Sequence, residues 1–160
     1  DESIYAILRF LKGAPSWFSK PIVWNSNGYA SRIVYRLLNG IADAYIPDMK
    51  FYGNECSREL AGCSNYFDMF EAGIDEMVKQ DVPVFVRMLV LPGHLECCHR
   101  PLIDHLAKYR ERVKLNVMGQ YYPDFLVAAQ DLSMGQRPIA SEFDSVRSYA
   151  ERRGGRGWLI

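Results

Sequence analysis

The stretch that most constrains the fold is Pro83 to Gly93, PVFVRMLVLPG, an almost wholly apolar run with one arginine at its centre. A run this short, rich in Val and closed by Pro92 and Gly93, reads as a strand buried on both faces, the usual condition of a parallel sheet. Side chains alternate along a strand, so Phe85, Arg87, Leu89 and Leu91 share one face and Val84, Val86, Met88 and Val90 the other. Arg87 points where Leu89 points. An unpaired guanidinium inside would cost several kcal/mol. Two roles remain for Arg87: a structural ion pair with a carboxylate of a neighbouring strand, or a hold on a ligand carboxylate or phosphate near the strand's C-terminal end, where parallel α/β proteins place their sites.

Around this strand the pattern alternates. Ile4, Ile7, Leu8 and Leu11 recur at helical spacing within Asp1 to Leu11, and Gly13 with Pro15 ends that helix. Ile22-Val23-Trp24 runs as a strand into the Asn25-Ser26-Asn27-Gly28 turn, and Ala30 to Leu38 is a helix stopped at Asn39-Gly40. Asp43 to Phe51 alternates as a second strand, with Ile46, Asp48 and Lys50 on one face. Tyr52 to Ser64 reads as a loop with a short helix near Ser57 to Leu60, and Tyr66 to Gln80 as a longer helix ended by Asp81-Val82-Pro83. After the central strand, His94 to Arg100 reads as a loop and Pro101 opens a helix to about Arg110. Val113 to Tyr122 is the fourth strand, Tyr122-Pro123-Asp124 turns, and a region ending in Pro138 leads to a Glu142 to Arg153 helix stopped at Gly154-Gly155. Four strand-helix units imply an α/β protein of parallel (β/α) repeats, with right-handed crossovers and helices packed outside. Four units are half of an eight-fold barrel, so either the sheet is open or further strands lie upstream of Asp1. Residues 1–160 read as one domain, and a chain that opens inside a helix is expected to be a piece of a longer protein. An open sheet would leave a strand edge at Pro21 to Trp24.

Charge bounds the partners. Nineteen basic residues balance nineteen acidic ones, so no net field favours nucleic acid or an anionic membrane surface. No apolar run approaches the roughly 20 residues of a membrane span, and the N-terminus lacks the pattern of a signal peptide, so a cytoplasmic protein without nucleic-acid or membrane partners is expected. The four cysteines, Cys56, Cys63, Cys97 and Cys98, make neither a CxxC pair nor a disulfide framework, and reduced thiols are the default. His94, Cys97, Cys98, His99 and His105 lie near one another in sequence, with Cys56 and Cys63 on an earlier loop, but adjacent cysteines rarely chelate one ion well and the spacing matches no standard zinc motif. No metal ligand is assigned, and the expectation is a loop that happens to hold thiols.

Each strand brings polar residues to its C-terminal end: Asn25 to Gly28, Asp48 and Lys50, Arg87, and Gln120 with Tyr121. Each has a bland explanation, since Asn-Gly makes turns and Asp48 can pair with Lys50 or Arg87, yet four convergent strand ends favour a ligand site. The stretches PIVWNSNGY (Pro21 to Tyr29), ADAYIPDMKF (Ala42 to Phe51), NYFDMFEAGIDEMVKQ (Asn65 to Gln80), VRMLVLPGH (Val86 to His94) and VKLNVMGQYYP (Val113 to Pro123) stand in an order and spacing that resemble the radical S-adenosylmethionine enzymes of the pyruvate formate-lyase activating enzyme type. The similarity covers about Ile4 to Pro123.

What the resemblance implies is part of a TIM-type barrel, about four strand-helix units of a partial (β/α)6 barrel, whose strand ends hold S-adenosylmethionine against a [4Fe-4S] cluster. Reductive cleavage would give a 5'-deoxyadenosyl radical that abstracts hydrogen from a protein or small-molecule substrate. It implies cofactor-binding roles for Ser26, Asn27, Asp48, Lys50, Arg87 and Leu89, to which the fourth strand end adds Gln120. Implied partners are a glycyl-radical enzyme or other protein substrate and an electron donor such as flavodoxin or ferredoxin. The chain departs from the pattern at Asn25, where the family's turn often begins with Asp. It departs further in lacking the CxxxCxxC cluster-binding loop, whose ligands are expected upstream of Asp1. No catalytic residue is assigned within the chain, which alone is expected to be inactive. The alternatives are a cofactor- or partner-binding half-barrel without a cluster, and a plain α/β domain with a buried Arg-Asp pair.

Overall fold

A computed structural model describes residues 3–124, 127 and 134–160. Its centre is a four-stranded sheet in which every neighbouring pair is parallel and the spatial order is β1-β2-β3-β4, the order of the chain. The strands are β1 (Val23–Ser26), β2 (Ala44–Pro47), β3 (Val84–Leu89) and β4 (Val113–Met118). Between and around them run α1 (Ile4–Lys12), α2 (Arg32–Leu37), α3 (Asn54–Ala61), α4 (Tyr66–Met77), α5 (Arg100–Leu106) and α6 (Ala140–Gly154). The protein is therefore an α/β protein with an all-parallel sheet. Among the described residues no helix is long and apolar enough to cross a membrane.

Among the described residues the buried core lies mainly on one side of the sheet. Tyr45, Met49, Val84, Val86, Met88, Val113 and Leu115 are buried against Tyr35 and Leu38 near α2, Phe70, Ile74 and Met77 of α4, Leu102, Ile103 and Leu106 of α5, and Val146 and Ala150 of α6. This overturns one expectation. β3 alternates buried and half-buried along its length, so it is covered on its Val84-Val86-Met88 face while Phe85, Arg87 and Leu89 stand on a partly open face. The hydrophobic run misled because the open face of β3 is itself apolar apart from Arg87, and a row of Phe and Leu reads the same in a core as beside an opening.

Three local expectations also change. Tyr52 to Ser64 is mostly helix, since α3 spans Asn54–Ala61 and ends at Gly62 with φ +65°. The presumed loop after β3 is helical as well: Leu95–His99 forms a π-helical turn that continues into α5. β4 ends at Met118, so Gln120 and Tyr121 lie beyond the strand. The region leading to Pro138 falls largely on residues 125, 126 and 128–133, outside the described residues.

The two sheet edges differ. Among the described residues β1 has no strand on its outer side, the edge expected at Pro21 to Trp24, and Val23 is half exposed. At the other edge Leu159 forms a parallel bridge with Leu115, where the Leu115 amide donates to the Trp158 carbonyl at 3.0 Å and the Ile160 amide donates to the Leu115 carbonyl at 3.1 Å.

Candidate functional site

The site begins with the ladder between β2 and β3. Past the end of β2, Asp48 bridges Arg87 in parallel register, its amide donating to the Ser26 carbonyl at 2.9 Å, and the Met49 amide donates to the Arg87 carbonyl at 2.8 Å. Extending the pairing by these residues keeps strand parity, so Asp48 and Lys50 stay on the open face beside Arg87. On that face Arg87 Nε donates to Asp48 Oδ1 at 2.7 Å and Nη2 approaches the same oxygen at 2.6 Å. Nη2 also donates to Asn25 Oδ1 at 2.9 Å, and Lys50 Nζ lies 3.4 Å from Asp48 Oδ2. The side chains keep 30% (Arg87), 20% (Asp48) and 38% (Lys50) exposure. Two cations around one carboxylate leave one positive charge on an open sheet face. The Nη1 edge of Arg87 carries none of these contacts, and a guanidinium has five N–H donors to offer.

Behind the strand ends a tyrosine fixes the geometry. Tyr66, at the start of α4, has its hydroxyl 2.6 Å from the Asp48 carbonyl and 2.9 Å from the Asn27 carbonyl, and accepts from the Lys50 amide at 3.2 Å. Burial raises its pKa well beyond the ordinary tyrosine value, so it remains a donor at any physiological pH. Gly28, with φ +73°, lets the β1 turn approach this junction: a Cβ there would sit 2.4 Å from the Asp48 carbonyl oxygen and 2.9 Å from the Phe70 ring. The Ser26-Asn27-Gly28 turn thus packs directly on the end of β2.

Of the residues singled out from sequence, the structure gathers Asp48, Lys50 and Arg87, with Leu89 next along the same face. It adds Asn25, which the implied binding set omits. Asn25 is reachable because β1 and β2 align Asn25 with Ile46, on the face of Asp48 and Arg87. Parity within β1 was readable from sequence; the register between β1 and β2 was not. Ser26 and Asn27 serve the turn: Ser26 Oγ accepts from the Gly28 amide at 3.3 Å and Asn27 Oδ1 from the Tyr29 amide at 3.0 Å. Gln120 is exposed past β4 and, among the described residues, makes no hydrogen bond to the cluster.

A second group sits on the same rim. Ligand-type atoms of Cys56 on α3, His94 after the Pro92-Gly93 turn, and Cys97 and Cys98 on the π turn lie within 4.8 Å of one another. His94 Nδ1 is 3.2 Å from Cys97 Sγ, and burial pushes the Cys98 thiol up to about 12. This is the loop that the sequence left as incidental thiols. Cys56 completes it from α3, in a stretch where the sequence predicts mostly loop. A [4Fe-4S] cubane takes each of its cysteines on a different iron, whereas these three sulfurs and one imidazole converge on a single point. The chain's own thiols therefore suit a single ion and do not suit the cubane.

No family model matches the chain. It is 35% identical over 132 residues to a protein of Methanocaldococcus jannaschii described as uncharacterized, a match covering 82% of this chain and 38% of that relative. The chain thus spans well under half of the length of the curated relative it matches.

Proposed function

We propose that this chain is the C-terminal portion of a radical S-adenosylmethionine protein of the activating-enzyme type, and that its open sheet face holds the cofactor. The observation that carries the reading is the Asn25-Asp48-Lys50-Arg87 cluster, one net positive charge at the C-terminal ends of adjacent parallel strands. The sheet order supports a partial barrel. Strands that follow one another in space as in sequence, with helices packed on one face, are wound as in a barrel, whereas a doubly wound sheet reverses its order and covers both faces. The greater length of the archaeal relative is consistent with cluster ligands on a segment outside this chain.

When bound together, the cofactor and the iron-sulfur cluster supply a hydrogen-abstracting radical. This chain's part is to bind and orient. Asp48 and Asn25 fix the guanidinium of Arg87 from two sides, so that its Nη1 edge and the Lys50 ammonium face the opening as donors for a ligand carboxylate. Leu89 offers apolar surface next to them. Tyr66 and Gly28 hold the two strand ends at the spacing this needs.

The test is calorimetric titration of S-adenosylmethionine into the protein that includes the upstream segment, reconstituted anaerobically with iron and sulfide. Arg87→Met should weaken binding by roughly 10- to 100-fold, the value of about 1.5 to 3 kcal/mol for a charge-assisted contact. Unchanged affinity would remove Arg87 from the site, and an upstream segment without a cysteine triad would leave the plain cofactor- or partner-binding half-barrel as the reading.

A further inference from the structure

We propose that Cys56, His94, Cys97 and Cys98 form a mononuclear site for a soft divalent cation, zinc by its chemistry, that ties α3 to the turn following β3. The site is separate from the Arg87 cluster and does not depend on the cofactor reading. Its four donors come from three pieces of chain: Cys56 from α3, His94 from the residues after Gly93, and the two adjacent cysteines from the π turn Leu95–His99.

Adjacent cysteines are the objection to such a site, and the π turn answers it. In an α-helix neighbouring side chains diverge widely around the axis. The i→i+5 winding is broader and turns successive side chains through a smaller angle, and such turns concentrate at functional sites. Here the amides of Cys98 and His99 both donate to the His94 carbonyl, at 3.1 and 3.0 Å. That geometry brings Cys97 and Cys98 over the same point as the His94 ring.

Three thiolates and one imidazole are a zinc set, with Zn–S near 2.3 Å and Zn–N near 2.0 to 2.1 Å in a tetrahedron. That tetrahedron separates its sulfurs by about 3.8 Å. The four donor atoms already lie within 4.8 Å of one another, so side-chain rotations of the order of an ångström complete it. Soft thiolates select zinc over magnesium or calcium. Burial grades from fully buried Cys98, through half-buried Cys56 and His94, to exposed Cys97, which leaves an entry path on one side. Since α3 follows β2 and the π turn follows β3, the ion would clamp two successive βα connections on the rim that carries Asp48 and Arg87. Zinc would then deprotonate the three thiols, with three protons released to solvent and no redox change.

The whole chain, purified under reducing conditions and stripped with a chelator, is titrated with zinc and with cobalt(II). One equivalent of each should bind. The cobalt form should show the ligand-field bands of a tetrahedral ion and a thiolate charge-transfer band of three-thiolate intensity. Zinc should raise the thermal midpoint and the chelator reverse it. Cys97→Ser, at an exposed position where folding is safe, should lower zinc affinity at least 10-fold and reduce the charge-transfer intensity by about a third, and His94→Gln should weaken binding without that loss. Cys63→Ser, a neighbouring cysteine outside the set, should change nothing. Sub-stoichiometric binding, an octahedral cobalt spectrum, the same affinity in Cys97→Ser with native circular dichroism, or uptake of iron as a cluster would each overturn the assignment. Recovery of a Cys56 disulfide from freshly reduced protein in place of metal would do so as well.

Discussion

What Arg87 contributes to stability depends on its surroundings more than on its partner. It does pair with Asp48, as a structural reading requires, but both side chains reach solvent and Asp48 keeps Lys50 at 3.4 Å as a second counter-ion. Arg87→Met should therefore cost about 1 kcal/mol in chemical denaturation, close to the value of a partly exposed pair, well short of the roughly 3 to 5 kcal/mol for stranding a buried charge. A loss in the buried range would mean that the face is closed in solution. Gly28 is the less forgiving residue. At φ +73° any L side chain is strained, and its Cβ would meet backbone oxygen, which cannot move aside as a flexible side chain would. Gly28→Ala should cost about 2 to 4 kcal/mol, the sum of a left-handed backbone penalty and local overpacking. A cost below about 1 kcal/mol would show that the β1 turn is free to withdraw from β2.

At the scale of elements, α2 is fastened to α4 chiefly through Glu76, with Asp75 a more distant partner of Arg32 at 3.9 Å. Glu76 accepts from Arg36 at 3.3 Å through both oxygens, from Lys79 at 3.3 Å, and lies 3.5 Å from Arg32. The Arg36 guanidinium, ahead of Lys79, holds the Glu76 carboxyl below the usual carboxylate range despite opposing burial. A carboxyl depressed in the folded state contributes stability above its unfolded pKa and loses it as pH falls through the folded value. Glu76→Gln should thus be less stable than the parent near pH 7, and the gap should narrow steadily below about pH 4.3, the ordinary glutamate value. A pH-independent gap in urea midpoints would assign the effect to packing instead.

The elements also show what the sequence could convey. Four strands, their chain order and most of the helix spans follow from local periodicity, because each needs only neighbours in the chain. The Glu76 cluster, the Asn25–Arg87 contact and the meeting of Cys56 with His94 do not, since each depends on register or crossover geometry between segments far apart. Parity placed Asp48, Lys50 and Arg87 correctly because they sit on adjacent strands whose faces the sequence fixes individually. The π turn was illegible for a different reason: Pro92-Gly93 followed by His, Glu and two Cys lacks a helix-start signal, whereas Pro101 does stand in the first turn of α5 as its sequence implies.

At the scale of the molecule, an open parallel sheet has two edges to protect and this one treats them differently. Among the described residues nothing pairs with the outer side of β1, whereas β4 is sealed by the strand-like segment at residues 158–160 through the Trp158 carbonyl and the Ile160 amide. Trp158 anchors that seal. It is 2% exposed, and its ring lies so close over Gly154 that any Cβ at that position would fall inside the indole. Trp158→Ala therefore removes an apolar anchor that helps residues 157–160 stay beside Leu115. The large-to-small change should cost about 3 to 5 kcal/mol. A released edge exposes unpaired backbone groups of β4, which template association with other chains. The variant should therefore show a lower denaturation midpoint together with concentration-dependent aggregation, while Ile160→Ala, at an exposed end that pairs only through its backbone, should show neither. Gly154→Ala should reproduce the tryptophan phenotype from the opposite side of the contact, by pushing the ring out rather than deleting it. If Gly154→Ala is neutral while Trp158→Ala is severe, the indole stabilises the core without holding the edge, and the seal on β4 must rest on its two backbone hydrogen bonds together with the bond from Lys114 Nζ to the Gly157 carbonyl.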